Sequence, residues 1–249
     1  MAGNGIFAGQ VAAVTGGAQG IGFAISRLLA ERGATVCLLD ADEGRTAEAV
    51  AALEKLGARA RGYRMDVTRE PEVLAARDAL LRDFGRCDVL VNNAGIYPHA
   101  TICEITVEDW DRMFDVNAKG VFLVTRAFME PMIAQRYGRV VCIVTNDAYI
   151  AKPTLPHYAA SKAALLSLIK TFAWELAPHQ VLVNGVSPGA VATERAKSQS
   201  WLKERIPNIP VRRAAEPEDL AEVVLFLASP RNRFIVGETV IANGGFSMI

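Results

Sequence analysis

The sequence predicts an α/β fold, a doubly wound parallel sheet of about seven strands with helices on both faces. Three observations carry that expectation. Short β-branched runs alternate with longer helical stretches along the chain, the pattern of repeated strand–helix–strand units. Gly138-Arg139-Val140-Val141-Cys142-Ile143-Val144-Thr145 is a nearly continuous apolar run, as suits a strand covered on both faces. Thr15-Gly16-Gly17-Ala18-Gln19-Gly20-Ile21-Gly22 joins the first strand to the first helix through a glycine-rich turn.

Taken in order, Gln10 to Thr15 reads as a strand, and Ile21 to Arg32 as a helix stopped by Gly33. Thr35 to Asp40 is a second strand, followed by an alanine-rich helix from about Glu43 to Leu56. A third strand leads into Asp66-Val67, with a helix from about Pro71 to Phe84 and a fourth strand from Asp88 to Asn92. Two helices are expected between about Val107 and Gln135. After the Gly138–Thr145 strand come a helix from about Leu155 to Leu176 and a strand from Val181 to Val186. A helix from about Pro217 to Ala228 and a strand from about Glu238 to Ala242 complete the pattern. No linker, repeat or low-complexity stretch divides the chain, so residues 1–249 are expected to form one domain.

Composition is that of an ordinary globular protein, 51% apolar and 22% charged. The 27 basic residues balance 27 acidic ones, which gives no electrostatic case for nucleic acid or an anionic membrane surface. Met1-Ala2-Gly3-Asn4-Gly5 lacks the basic region and apolar run of a secretory leader. No apolar segment approaches the roughly 20 residues that cross a bilayer. Cys37, Cys87, Cys103 and Cys142 are widely separated and have no nearby histidine at metal-ligand spacing. They read as reduced thiols of a cytoplasmic protein without a structural metal.

The glycine loop has a mechanism. Glycines allow a tight turn, a close approach of backbone to pyrophosphate and close packing of helix on strand. The helix N-terminus then offers N–H groups and its positive dipole end to phosphate. The fold is therefore read as Rossmann-type. Asp40 follows Gly22 by 18 residues, near the offset of a carboxylate that accepts from the adenosine ribose hydroxyls. Such a carboxylate repels a 2′-phosphate. Gln19 is neutral, Ala41 follows Asp40, and Arg45 falls on the next helix, so NAD(H) is expected over NADP(H). An aspartate capping the following helix is the plainer reading of Asp40, and both can hold together.

Tyr158 and Lys162 stand four residues apart in a helical stretch, which places a phenol and an ammonium on one face. A phenol has a reference pKa of about 10, and a nearby cation favours the phenolate. Such a pair can give and take a proton. Alone, the spacing also suits an exposed face with a half-buried ring.

With these residues assembled, the chain from about Phe7 onward resembles the short-chain dehydrogenase/reductase family in its compact single-domain form. The matching segments are the loop with Thr15, Gly16, Gly20 and Gly22, then Asp66-Val67, Asn92-Asn93-Ala94-Gly95, Asn117, Tyr158 with Lys162, and Pro188-Gly189-Ala190-Val191-Ala192-Thr193. Gly244-Gly245 matches the close of the last strand, with Asn243 where the family usually has Asp. Where the family usually has Ser, thirteen residues before the tyrosine, this chain has Thr145. Threonine keeps the hydroxyl and adds a methyl that narrows the pocket.

The resemblance implies hydride transfer between nicotinamide and a carbinol carbon, interconverting a secondary, aryl or cyclic alcohol and its carbonyl. Asn117, Thr145, Tyr158 and Lys162 would be catalytic. Tyr158 would be the acid/base and Lys162 would lower its pKa and bind the ribose. Thr145 would hold the substrate oxygen, and the Asn117 carbonyl would continue a proton relay. Cofactor contacts would come from Gly16, Gln19, Gly20, Ile21, Gly22, Asp40, Asp66, Val67, Asn93, Ala94, Gly95, Pro188, Gly189, Val191 and Thr193, with Tyr158 and Lys162. Val191 and Thr193 would meet the carboxamide.

Ile96 to His99, Asn146 to Ile150 and a lid at about 190–210, containing Trp201, would shape the substrate pocket. Within it, Asp147 and His99 could orient a polar group. Features near Tyr97-Pro98 and Thr145 resemble aryl-alcohol and pyridoxal dehydrogenases of the family. The partner expected is a small alcohol or carbonyl, and the assembly a homotetramer, with a dimer next. Three other readings remain open: a 3-oxoacyl reductase, an NAD-sensing binding protein without turnover, and a nucleotide-sugar epimerase. The last needs a larger C-terminal substrate region.

Overall fold

The structure, a computed structural model, describes residues 5–248. Met1 to Asn4, part of the segment read above for a leader, and Ile249 lie outside the described residues. Seven strands form one sheet: β1 (Val11–Thr15), β2 (Thr35–Asp40), β3 (Ala60–Arg64), β4 (Val89–Asn92), β5 (Gly138–Ile143), β6 (Val181–Pro188) and β7 (Thr239–Ala242). Their order is β3-β2-β1-β4-β5-β6-β7, and every ladder is parallel. The winding reverses between β1 and β4, and such a sheet opens a ligand crevice at that switch point. This is the expected Rossmann-type architecture.

Helices α1 (Gly20–Glu31), α2 (Glu43–Lys55), α3 (Glu70–Phe84), α4 (Val107–Phe114), α5 (Gly120–Gln135) and α6 (Pro156–Leu176) are followed by three more. These are the short α7 (Glu194–Lys197) and α8 (Ser200–Arg205), then α9 (Pro217–Ala228). Side chains of α1, α2 and α9 share one core with Leu38, Val141 and Val186. Those of α3, α5 and α6 share the other with Leu90, Val140 and Val183. β5 shows why its run is continuously apolar. All six residues are buried, with Val140 and Cys142 in one core and Val141 and Ile143 in the other.

Three boundaries differ from the sequence reading. β5 ends at Ile143, and Thr145 opens a 3-10 turn over Asn146–Ala148, accepting from the Asp147 N–H at 3.3 Å. A hydroxyl that caps a turn competes with continuation of the strand. β6 runs two residues further, to Pro188, because its ladder to β7 continues through Ser187↔Ile241 and Pro188↔Ala242. The helical region from Val107 to Gln135 has no break between α4 and α5. A π turn over Asp115–Lys119 joins them, closed by the Gly120 N–H on the Asp115 carbonyl. Within α5, Pro131 has no N–H for the carbonyl of Ala127, and Arg77 Nη1 donates to it at 3.2 Å.

Cys37, Cys87 and Cys142 are buried, Cys103 is exposed, and all four are free thiols. Among the described residues no helix is long and apolar enough to cross a membrane.

Candidate active site

The carboxyl ends of the central strands open into a cleft of about 1080 Å³. Of the residues expected at a site, Gly16, Gln19, Gly20, Ile21, Gly22, Asn93, Ala94, Gly95, Tyr158, Lys162 and Thr193 line it together.

At the glycine end, Gly16 and Gly20 have φ of 59° and 54°, a conformation that side chains disfavour. A Cβ on Gly22 would stand 2.1 Å from the Gly16 carbonyl oxygen. Asn93 Nδ2 donates to the carbonyls of Thr15 at 3.1 Å and Gly16 at 2.9 Å. Thr15 Oγ1 accepts from the N–H groups of Asn93 and Ala94, both at 3.0 Å. The loop is therefore held in shape by β4. Gln19 puts no side-chain cap on α1, so the first-turn N–H groups keep their capacity for phosphate. This bare, backbone-lined cradle fits a dinucleotide pyrophosphate.

Asp40 closes β2, and its Oδ1 accepts from the Asp42 N–H at 3.1 Å. Capping of α2 falls to Asp42, which accepts from the Arg45 N–H at 3.0 Å. Arg45 does lie on α2, but its side chain turns back. Its Nη1 donates to Gln19 Oε1 at 2.7 Å, and its Nε lies 3.3 Å from Asp42. Arg45 thus lines the cleft from the helix, a cation at this end that neither Gln19 nor Ala41 supplies.

Of the expected cofactor contacts, Asp40, Asp66, Val67, Pro188, Gly189 and Val191 are not among the residues that line the cleft. Asp66 Oδ1 is held by the Thr68 N–H at 2.9 Å and hydroxyl at 2.8 Å, and Val67 packs in the core. The Gly189 N–H reaches the Ala242 carbonyl at 3.2 Å, extending the line of β6 past Pro188. Val191 is bridged to Ala215. Thr193 accepts from the Ala196 N–H at 3.2 Å and so caps α7, while its hydroxyl proton stays free to donate.

At the other end, Tyr158 lies near the start of α6, and the Tyr97 ring meets it edge-on at 6.1 Å. Burial pushes the Tyr158 phenol up, and a hydrogen bond with Thr145 draws it back. Lys162 Nζ donates to the Ile143 carbonyl at 2.7 Å, and burial pulls this ammonium down to about 8. The sequence leads one to expect Lys162 to set the tyrosine. In the protein alone, Lys162 is not among the groups that move the phenol, and the Thr145 hydroxyl is the one that lowers it.

Asn117 is fully buried and its side chain clamps the loop after β4. It accepts from the Ile96 N–H and donates to the Ile96 carbonyl, both at 2.9 Å. It also reaches Ser161 Oγ at 3.2 Å, and that hydroxyl donates to the Tyr158 carbonyl at 2.8 Å. Asn117 thus links the cleft loop to the first turns of α6. Gly95 is squeezed between: a Cβ there would lie 3.1 Å from Asn117 Oδ1 and 3.5 Å from Lys162 Nζ.

Sequence reasoning missed four features. Ser161 stood only as a spacer between Tyr158 and Lys162, yet it is fully buried. Asn243 Nδ2 donates to Asn146 Oδ1 at 2.7 Å and to the Ser247 carbonyl at 2.8 Å, and Ser247 Oγ also bonds Asn146. This clasp ties the last strand to the residue beside Thr145, and only the departure at Asn243 signalled it. Asp147 lies between Lys152 at 3.7 Å and Arg205 at 3.5 Å. Arg195, two residues beyond Thr193, places its guanidinium carbon 4.9 Å from the Tyr97 ring centroid.

A family profile described as enoyl-(acyl carrier protein) reductase matches residues 16–247. Across 239 residues the chain is 36% identical to a 3-oxoacyl-[acyl-carrier-protein] reductase of Thermotoga maritima, covering 95% of this chain and 97% of that one. It superposes with a TM-score of 0.94 on the crystal structure of a short-chain type dehydrogenase/reductase from Mycobacterium marinum, at 31% identity and 98% coverage of both. The chain belongs to the short-chain dehydrogenase/reductase family. This dehydrogenase/reductase is also 37% identical to a cyclopentanol dehydrogenase of Comamonas sp., over 96% of this chain and 97% of that one. As a member of the family it is an oxidoreductase whose Rossmann-type sheet binds a nicotinamide cofactor.

Proposed function

We propose that this protein is an NAD(H)-dependent oxidoreductase that interconverts a secondary, aryl or cyclic alcohol and its carbonyl. The observation that carries the reading is one cleft lined by both the glycine cradle and the Tyr158–Lys162 pair, with the Thr145 hydroxyl near enough to the phenol to lower it. Bound nicotinamide supplies the hydride acceptor or donor. Tyr158 takes the hydroxyl proton in oxidation and returns it in reduction. Thr145 holds the substrate oxygen, and its hydroxyl steadies the charge that develops there. Lys162 would hold the nicotinamide ribose, and the backbone of Asn117 would extend the proton path behind it. The hydroxyl of Thr193, together with the backbone at Val191, would hold the carboxamide.

NAD is favoured because Asp40 closes β2, where a carboxylate would accept from the adenosine ribose and repel a 2′-phosphate. Arg45 is already engaged by Gln19 and Asp42. Asp66 and Val67 would meet the adenine. Reduction of a 3-oxoacyl substrate is the second reading, supported by the Thermotoga maritima relative.

The chain works as a single domain with a lid at about 190–210. That segment has its own small apolar cluster of Ala190, Ala192, Ala196, Leu202 and Ile209. Trp174 and Phe234 are 86% and 95% exposed, apolar surface that supports a cytoplasmic homotetramer, with a dimer next. Gel filtration at a monomer's mass would overturn the assembly.

The test is a panel of secondary alcohols, cyclic alcohols and ketones with NAD(H) and NADP(H), read by nicotinamide absorbance. Turnover should be faster with NAD(H), and Tyr158→Phe should lose it while binding NADH. Cofactor binding without turnover across the panel would point to a sensor instead.

A further inference from the structure

The substrate half of the cleft holds a cation with no acidic partner. Arg195 is exposed on α7 and lines the cleft with Tyr97 and Tyr158. Its guanidinium carbon stands 4.9 Å from the Tyr97 centroid, and that ring meets Tyr158 edge-on at 6.1 Å. Arg195 therefore borders the reacting end of the cleft. A guanidinium over an aromatic ring uses its face, and its N–H edge stays available for a planar anion.

The nearby carboxylates are already engaged. Glu194 pairs with Lys197 at 2.9 Å, and Glu216 caps α9 through a reciprocal box with Asp219. Asp147, whose charge is felt at the Tyr158 phenol, is shared by Lys152 and Arg205. Arg205 in turn lies 4.5 Å from the Phe246 ring centroid. Among the described residues, Arg195 has no ion pair. Asp147 thus balances only one of its two neighbouring cations, and with Lys162 and Arg195 the reacting end carries an excess of positive charge, which suits an anionic substrate.

We propose that Arg195 binds an anionic group on the substrate, so that the physiological substrate is a hydroxy acid or its oxo counterpart. This rests on the alcohol–carbonyl reading above. The anion is either a carboxylate on the substrate itself or the phosphate of a phosphopantetheine thioester, which offers the same chemistry to a guanidinium.

The test uses 3-hydroxy acids of four to eight carbons in three forms: free acid, methyl ester and phosphopantetheine thioester. Each is oxidised with NAD by the wild type, Arg195→Met and Arg195→Lys. The expected result is kcat/KM at least ~10-fold higher for an anionic form than for the matched ester. Arg195→Met should bring that ratio to within ~3-fold, mainly through KM, and Arg195→Lys should restore part of it. Preference for the free acid identifies the carboxylate, and preference for the thioester identifies the carrier phosphate. NADH affinity, read by fluorescence, should match between wild type and Arg195→Met.

Equal rates for ester and anion in the wild type would overturn the proposal and leave the oxidoreductase reading standing. So would an equal loss on all three forms, or a loss confined to NADH affinity. Absence of turnover on every form, together with none on the neutral alcohol panel, would remove both.

Discussion

The Lys162 ammonium donates to the Ile143 carbonyl at 2.7 Å, and among the described residues no carboxylate pairs with it. It is a buried cation held by a single carbonyl. Its folded value of about 8 lies below the ordinary 10.5, so the unfolded chain holds this proton more tightly. The cost to folding is fully present below about pH 8 and is relieved as pH rises toward 10.5.

Lys162→Met should therefore remove turnover and yet stabilise the fold by about 1–3 kcal/mol near neutral pH. The advantage should shrink as pH rises from about 8 toward 10.5. Urea denaturation at several pH values reads both trends. A variant less stable than wild type at neutral pH would contradict the argument.

Thr145 draws down a phenol that burial pushes up. With Tyr158 as the base in oxidation, Thr145→Ala should move the ascending limb of the oxidative kcat/KM profile to higher pH. At neutral pH the rate should fall by about 100-fold, the scale for loss of one oriented donor. Thr145→Ser should return to within ~3-fold of wild type and accept bulkier alcohols, because only a methyl is removed. An Ala variant with an unmoved pH profile would assign the hydroxyl to packing alone.

Asn117→Ala strands both backbone groups of Ile96 and removes the donor to the Ser161 hydroxyl. The expected loss is about 2–4 kcal/mol of stability, the scale for several buried polar groups left unpaired. The loop after β4 should also loosen, raising KM for the alcohol more than for NAD. Chemical denaturation and a two-substrate kinetic matrix measure the two effects separately.

Gly22→Ala sets a methyl 2.1 Å from the Gly16 carbonyl oxygen. The loop must move, and NADH affinity should fall at least ~100-fold, since a 1 Å misplacement carries costs of that order. Gly57→Ala is the control: φ is +79° and nothing lies within 4 Å of its Cβ. It should cost only about 1 kcal/mol and leave NADH binding alone. Equal loss of NADH affinity in the two variants would contradict the role given to the Gly16–Gly22 contact.

The parts of this fold that a sequence displays are those with a strong local pattern. β5 is apolar because both faces are covered, and the glycine loop has a composition few other turns need. β3 is the opposite case. It is an edge strand in which only Tyr63 of Ala60–Arg64 is buried, so no alternation marks its limits. The π turn has no signal either, since Asp115-Val116-Asn117-Ala118-Lys119 is compatible with ordinary helix. Tyr158, Lys162 and the glycines were legible because chemistry fixes their spacing. Arg195 and the return of Arg45 to Gln19 were not, because long side chains choose partners that only the assembled cleft brings near. The balance at Tyr158 was also hidden, since it depends on how much water the folded site excludes.

The clasp among Asn146, Asn243 and Ser247 spans separations of 97 and 101 residues. A growing chain on the ribosome therefore carries Thr145 and Tyr158 for a long stretch of synthesis before the partners of Asn146 exist. Contacts so distant in sequence close late. The wall beside the Thr145 hydroxyl is finished only when the last strand docks against β6, so a nascent chain with its tyrosine in place is still an unfinished enzyme.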